Sequence, residues 1–402
     1  MSNLLDKASI VTTPTAYNNG KILSVKPTDG TGDFDFTRNS SATRVNSQGL
    51  IEDITSNLPR IGYTGGEGHW LFEPQSTNLV TYSEDFSQWN KSNASLINTI
   101  TSTVVSPNGV SYANKLYPIG SATSSFIRRY VSGNCFSIFV KKGERKWILI
   151  YGGFANSNVW FDSENGVLGT IKPEATATVE SFGNDWYRIK ILWTQNSSEI
   201  RIYNTDSGTS TQSTGNGTDG LYIWGAQLEV QSFATSYIPT SGSTVTRLQD
   251  AAFGAGSSDL INSTEGVLYA EIMPSPLRGS FALSGGNIDN RVSFTYQYGS
   301  DIRTNIRIGG TQKNITGGGN ISDSFHKIAV RWDDSTNILS FYKDGGLVNT
   351  ISYSGSLGVN TLNNVSFTQG NGTSSNFFGK TKCLAVFKEA LTDAELTCLT
   401  TI

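Results

Sequence analysis

The 402 residues of this chain are enough for roughly two or three domains, each with its own core. Only 16% of them are charged and the formal net charge is −3, which argues against a phosphate-tracking surface and against nucleic acid as a partner. The three cysteines, Cys135, Cys383 and Cys398, are far apart and lack C-x-x-C spacing, so neither a disulfide framework nor a zinc site is expected.

The chain opens on Met1-Ser-Asn-Leu-Leu-Asp-Lys7, which has no basic region followed by an apolar core. No apolar run approaches the ~18 residues of a membrane span. Neither a signal peptide nor membrane insertion is expected. Residues 1–70 show weak periodicity and many polar turns, and read as an extended arm. Beyond them, Asn108-Gly109, Asn165-Gly166, Asn216-Gly217, Asp344-Gly345 and Asn371-Gly372 punctuate alternating runs as hairpin turns do. The abundance of Gly, at 42, suits short strands joined by tight turns.

In the middle of the chain, strands are predicted at 136–141, 147–151, 158–162, 185–194, 199–203 and 221–230. Tyr187, Ile189, Ile191 and Trp193 alternate with Arg188 and Lys190, a period of two that sends the first set to a core and the cations to water. Pro239–Arg247 is polar and turn-rich and reads as a connector. A second set of strands follows at 267–272, 291–298, 301–308, 325–332, 338–343, 364–368 and 382–387. Thr392-Asp-Ala-Glu395 is a capping box that opens a short helix ending near Leu399. The fold class is therefore all-β: two antiparallel β-sandwiches of jelly-roll type, at 71–250 and 255–402, preceded by the arm at 1–70.

Several ordered strings carry a resemblance. Phe36-Thr-Arg38 to Arg44-Val45 and on to Glu52, Leu71-Phe-Glu73-Pro-Gln75-Ser-Thr77-Asn78, Tyr82-Ser-Glu84-Asp-Phe86, Tyr222-Ile-Trp224-Gly-Ala-Gln227-Leu-Glu229 and Ser236-Tyr-Ile-Pro-Thr240 resemble the phage head spike or head fibre family. From about residue 260, Phe325–Trp332, Tyr342–Val348 and Gly379–Leu396 are similar to concanavalin A-like or laminin-G-like jelly rolls. Gly65-Gly-Glu-Gly-His69-Trp70 and Ser76 depart from the first family's pattern, where a cysteine-containing segment and a basic residue are usual. The resemblance implies a virion fibre or spike subunit on head or tail. It would be docked to other virion proteins through the arm, trimeric, and adhesive toward bacterial surface polysaccharide, its middle domain a carbohydrate-module-like sandwich. A capsule depolymerase and a purely structural capsid decoration are the alternatives.

Candidate residues follow from chemistry. Lectin sites pair a flat aromatic ring with amides and carboxylates, which singles out Tyr151, Trp160 and Asp162, and at a predicted hairpin tip Tyr296, Tyr298 and Arg303. Arg38, Arg44, Glu73 and Asn78 suit structural or inter-subunit pairing. The run Lys141-Lys-Gly-Glu-Arg-Lys146 reads as a solvated turn. With only His69 and His326 for proton transfer and no Gly-x-Ser-x-Gly elbow, no catalytic residue is assigned. No metal and no cofactor are expected.

Overall fold

Alternation builds the sheets, and the computed structural model describes them over residues 2–92, 97–120, 125–296, 301–321 and 324–402. The chain divides into two units, one made of 1–41, 54–74 and 248–402, the other of 42–53 and 75–247. Strands dominate both. The C-terminal helix Asp393–Thr400 carries the expected capping box, in which Thr392 Oγ1 accepts the Glu395 amide and Glu395 accepts the Thr392 amide.

The 42–53/75–247 unit packs two six-stranded antiparallel sheets face to face. One runs in the order Asn90–Lys91, Ile127–Arg129, Ile200–Thr205, Trp147–Tyr151, Val159–Asp162, Val167–Ile171; the other runs Ile97–Val105, Tyr112–Pro118, Leu221–Glu229, Cys135–Lys141, Trp186–Trp193, Ala175–Phe182. Every second residue points inward, so Ile127, Ile148, Ile150, Val159 and Ile202 meet Phe136, Ile138, Ile189, Ile191 and Trp193 in a dry core.

The outer face of the second of these sheets is also covered, by Phe139, Phe182, Trp186, Trp224 and Tyr237. That layer corrects one expectation. Arg188 does not reach water: it is buried against the Phe139 ring and donates to Ser137 Oγ at 2.9 Å and the Thr235 carbonyl at 2.8 Å. Lys190 stays at the surface and pairs with Glu180 at 2.7 Å.

In the other unit a large sheet has the order Gly346–Ser352, Ile338–Lys343, His326–Asp333, Glu265–Pro274, Gly379–Phe387, Glu67–Phe72, Ile61–Thr64, with Ile10–Thr12 also paired to Gly379–Phe387. It faces the five-stranded sheet Thr311–Ile315, Arg303–Ile308, Arg291–Tyr296, Gly279–Ser284, Asn364–Ser366 across a core that includes Leu268, Ile272, Phe281, Phe294, Trp332 and Phe341. At the Ile338–Lys343 hairpin, Asp344 and Gly345 both take positive φ, 50° and 82°, as a primed turn requires.

The expected arm is not an arm. Ile10, Ile22, Phe34, Phe36, Ile61, Trp70 and Phe72 all lie in the same core as residues 252–386. Their spacing is irregular because they sit on short strands separated by turns, which hides a buried face from a periodicity reading.

Candidate functional site

The outward face of the sheet that contains Trp147–Tyr151 carries a set of groups suited to a sugar. Asn90 opposes Arg128, Arg128 opposes Arg201, and Arg201 opposes Tyr151 across successive antiparallel strands. Directly opposite residues share a face. The four therefore form one row across four strands, roughly 14 Å long at the usual strand spacing.

Beside the row, Phe126, Leu149, Trp160 and Tyr203 form an apolar bed. Phe126 and Tyr203 rings lie 4.9 Å apart. The Arg201 guanidinium sits over Phe126 and Tyr151, at 4.6 and 4.9 Å, and Arg128 sits over Tyr130 at 4.7 Å. Tyr130 is well exposed and Tyr151 half-buried. Burial pushes the Tyr203 phenol up, with the Arg201 guanidinium pulling the other way.

Two of the sequence-predicted partners of Tyr151 do other work. Trp160 is buried and its indole N–H donates to the Ser210 carbonyl at 2.8 Å. Gly169 permits this packing: a Cβ there would stand 2.9 Å from the Trp147 ring and 3.1 Å from Trp160 Cβ. Asp162 closes the 162–166 turn, accepting the Glu164 amide at 2.9 Å and Asn165 Nδ2 at 2.9 Å, and pairs with Lys146 at 3.0 Å. Burial opposes its ionisation, but the Asn165 and Lys146 contacts outweigh that and hold its carboxyl below the ordinary value.

Arg128, Arg201, Tyr130 and Glu199 were not singled out from sequence. The signal existed: Glu199, Arg201 and Tyr203 alternate with Ile200 and Ile202, so one inward set of isoleucines fixes the other three on one outward face. In the basic run, by contrast, Lys142 and Lys146 pair with Glu164, and Arg145 pairs with Asp206.

The second predicted patch is split by the pleat. Tyr296 is buried in the core, packed on Phe377 and donating to the Phe378 carbonyl at 2.7 Å. Arg303 is exposed on the neighbouring strand, opposite Thr295 and hence on the other face. Tyr298 lies outside the described residues. On Arg303's face Arg291 opposes Arg307, and burial together with that neighbour pushes the Arg291 guanidinium down to about 10.

The residues expected to pair do so within the chain. Arg38 Nη1 meets Asp250 Oδ1 at 3.0 Å, and Arg60 bridges Asp250 Oδ2 and Glu73, the latter at 2.8 Å. Arg44 pairs with Glu52 at 2.5 Å. Asn78 is fully buried and uses its whole amide: Nδ2 donates to the Ala226 and Ile238 carbonyls, and Oδ1 accepts the Val80 and Leu228 amides. Arg38, Arg44 and Glu73 thus each have a partner of opposite charge within the chain.

His69 belongs to a strand rather than a glycine loop and is buried, which with Lys380 nearby pushes its imidazole down to about 3. His326 Nδ1 lies 2.6 Å from Asp344 Oδ2, and Nε2 lies 3.1 Å from Ser324 Oγ. A carboxylate only accepts, so Nδ1 carries a proton and donates it to Asp344, while Nε2 faces the serine hydroxyl. Among the described residues, no group of three or more His, Cys, Asp or Glu side chains is placed to hold a metal ion.

Residues 268–397 match the family model described as the concanavalin A-like lectin/glucanases superfamily, which agrees with the two facing sheets of that segment. No curated protein matches the chain. Part of the chain is similar to solved structures, three of which come from different sources. The CBM40 of Ruminococcus gnavus IT-sialidase, bound to α2,3-sialyllactose, is 16% identical over 34% of this chain and 83% of its own, with a TM-score of 0.30. The native heptameric SAP-like pentraxin from Limulus polyphemus is 14% identical over 34% and 70%, with a TM-score of 0.29. Domain 4 of the arabinanase AbnA from Geobacillus stearothermophilus, in complex with arabinotriose, is 12% identical over 43% and 84%, with a TM-score of 0.32.

Proposed function

We propose that this protein binds glycans through the row Asn90, Arg128, Arg201 and Tyr151, and that it does so as an attachment subunit of a bacteriophage head or tail fibre. The observation that carries glycan binding is the row itself. It sets one aromatic ring, an amide and two guanidinium groups side by side on hydrogen-bonded strands, which suits the apolar C–H face and hydroxyl rim of a sugar.

The phage placement rests on the ordered strings shared with head spike and head fibre proteins. Arg38, Glu73 and Asn78 from those strings hold the fold together, as do Gln227, which accepts the Ile238 amide at 2.6 Å, and Glu229, which accepts from Ser76 Oγ at 2.6 Å, so a fibre of this type would keep them whatever it binds. Attachment would be multivalent: a trimer presenting three copies raises the effective concentration of each weak site. A glycan array probed with the wild type and with Tyr151→Ala tests the binding. Signal on bacterial surface polysaccharides that weakens in the variant supports it, and an unchanged pattern removes the row from the account. Light scattering that gives a monodisperse monomer at micromolar concentration overturns the trimer, and electron microscopy of the intact particle with the subunit labelled tests the virion.

The hydrogen-bonded chain Asp344, His326, Ser324 favours a second reading, hydrolysis of a polysaccharide ester. Ser324 Oγ would attack the carbonyl as its proton passes to His326 Nε2, the alcohol would leave with that proton, and water would release the acyl group. Acetate release from acetylated capsular polysaccharide, lost in Ser324→Ala, is the expected result. Release no faster than in buffer removes this reading.

A further inference from the structure

Arg128 and Arg201 stand directly opposite each other on neighbouring strands, where like charges repel and weaken the sheet. One carboxylate serves both. Glu199 pairs with Arg201 and lies 3.7 Å from Arg128 Nη1, and among the described residues no second carboxylate pairs with either. Two guanidinium groups against one carboxylate leave one positive charge uncompensated.

Depth separates the partners. Glu199 is buried and its Oε2 accepts no hydrogen bond, whereas the Arg128 and Arg201 side chains remain 31% and 27% exposed. The acid lies below and the cations face outward. Aromatic rings support both guanidinium groups, Phe126 and Tyr151 beside Arg201 and Tyr130 and Phe126 beside Arg128. Both Nε atoms are buried, Arg201 Nη2 donates to Glu199 and Arg128 Nη1 is turned toward it, so a carboxylate between the two cations would accept from Arg201 Nη1 and Arg128 Nη2, one nitrogen from each.

We infer that this face selects acidic glycans, with a sugar carboxylate seated between Arg128 and Arg201 and the sugar ring against Tyr151 or Tyr130. The inference rests on the glycan-binding reading above and narrows its ligand to carboxylated sugars. The ligand's charge supplies what the fold withholds, a second anion for two opposed cations.

Isothermal titration of the full chain compares three probes: an oligogalacturonate, the same oligomer with its carboxylates reduced to alcohols, and a sulfated neutral oligosaccharide of equal length. The expected result is at least tenfold tighter binding of the oligogalacturonate than of its reduced form, falling as salt rises, and a tenfold loss in Arg128→Gln. Glu199→Gln provides a variant that should gain. Removing the buried acid raises the charge of the face, so affinity for the oligogalacturonate should rise several-fold, an outcome that damage to the fold cannot mimic. Equal affinity for acidic and reduced oligomers overturns the inference and leaves glycan binding standing. Preference for the sulfated probe also overturns it, in favour of charge without carboxylate geometry. Failure of every probe here, and of every glycan on the array, removes both readings.

Discussion

Arg38 and Asp250, 212 positions apart in the chain, form an ion pair at 3.0 Å with both side chains fully buried. The same carboxylate takes Arg60 on its other oxygen and accepts the Glu73 amide at 2.8 Å. Arg38 also donates to the Ser40 and Thr55 carbonyls. A buried charge group of this kind fixes which segments come together rather than adding much net stability, and its value shows when one member is taken away.

Asp250→Ala should therefore destabilise the unit that contains it by about 3–5 kcal/mol, since two buried guanidinium groups lose their counter-charge. Denaturant melts followed by far-UV circular dichroism check this. A midpoint within error of wild type would show that the network is not needed for the fold.

Asn78→Ala should lower the denaturant midpoint of the other unit. Two carbonyls and two amides lose their partners together, at about 1–3 kcal/mol for each group left dry. Asn78→Asp should fare no better, because a carboxylate has no donor to offer the Ala226 and Ile238 carbonyls.

Acid should weaken the protein through His69. Its folded-state value is near 3 while the unfolded chain has the ordinary value of 6.5, so the unfolded state takes up the proton first as pH falls. The contribution is complete above pH 6.5 and is lost progressively down to about pH 3. His69→Phe should flatten that part of a plot of melting temperature against pH; an unchanged slope between pH 6.5 and 4 would place the acid sensitivity elsewhere.

Thr392→Ala should cost about 1 kcal/mol through loss of the helix cap, read as a small drop in melting temperature. Restoring the cap with Ser at the same position should recover most of it.

Short apolar runs bounded by turns are legible in the sequence: Ile338–Lys343 and Trp147–Tyr151 are placed to the residue because β-favouring residues sit between clear turn signals. Gly346–Ser352 is not, because that edge strand is mostly exposed and carries little apolar signal. The sites failed for a different reason. Trp160 and Tyr296 have the composition of a lectin site, but burial decides what an aromatic ring does, and burial depends on which loop or sheet covers the strand. The 206–214 loop that takes the Trp160 indole could not be assigned to it from spacing alone. Arg128 and Arg201 acquire meaning only through cross-strand register, which joins residues 73 positions apart.

The interleaving of segments in the unit made of 1–41, 54–74 and 248–402 sets an order of events at the ribosome. Strand Gly379–Phe387 pairs with Ile10–Thr12, with Glu67–Phe72 and with Glu265–Pro274, yet it is synthesised after all three. The early apolar strands wait with open edges until it arrives, while all of residues 75–247 are already available to fold. During synthesis, nascent chains would be most prone to mispair through those waiting strands, and a chaperone would find its first binding sites there.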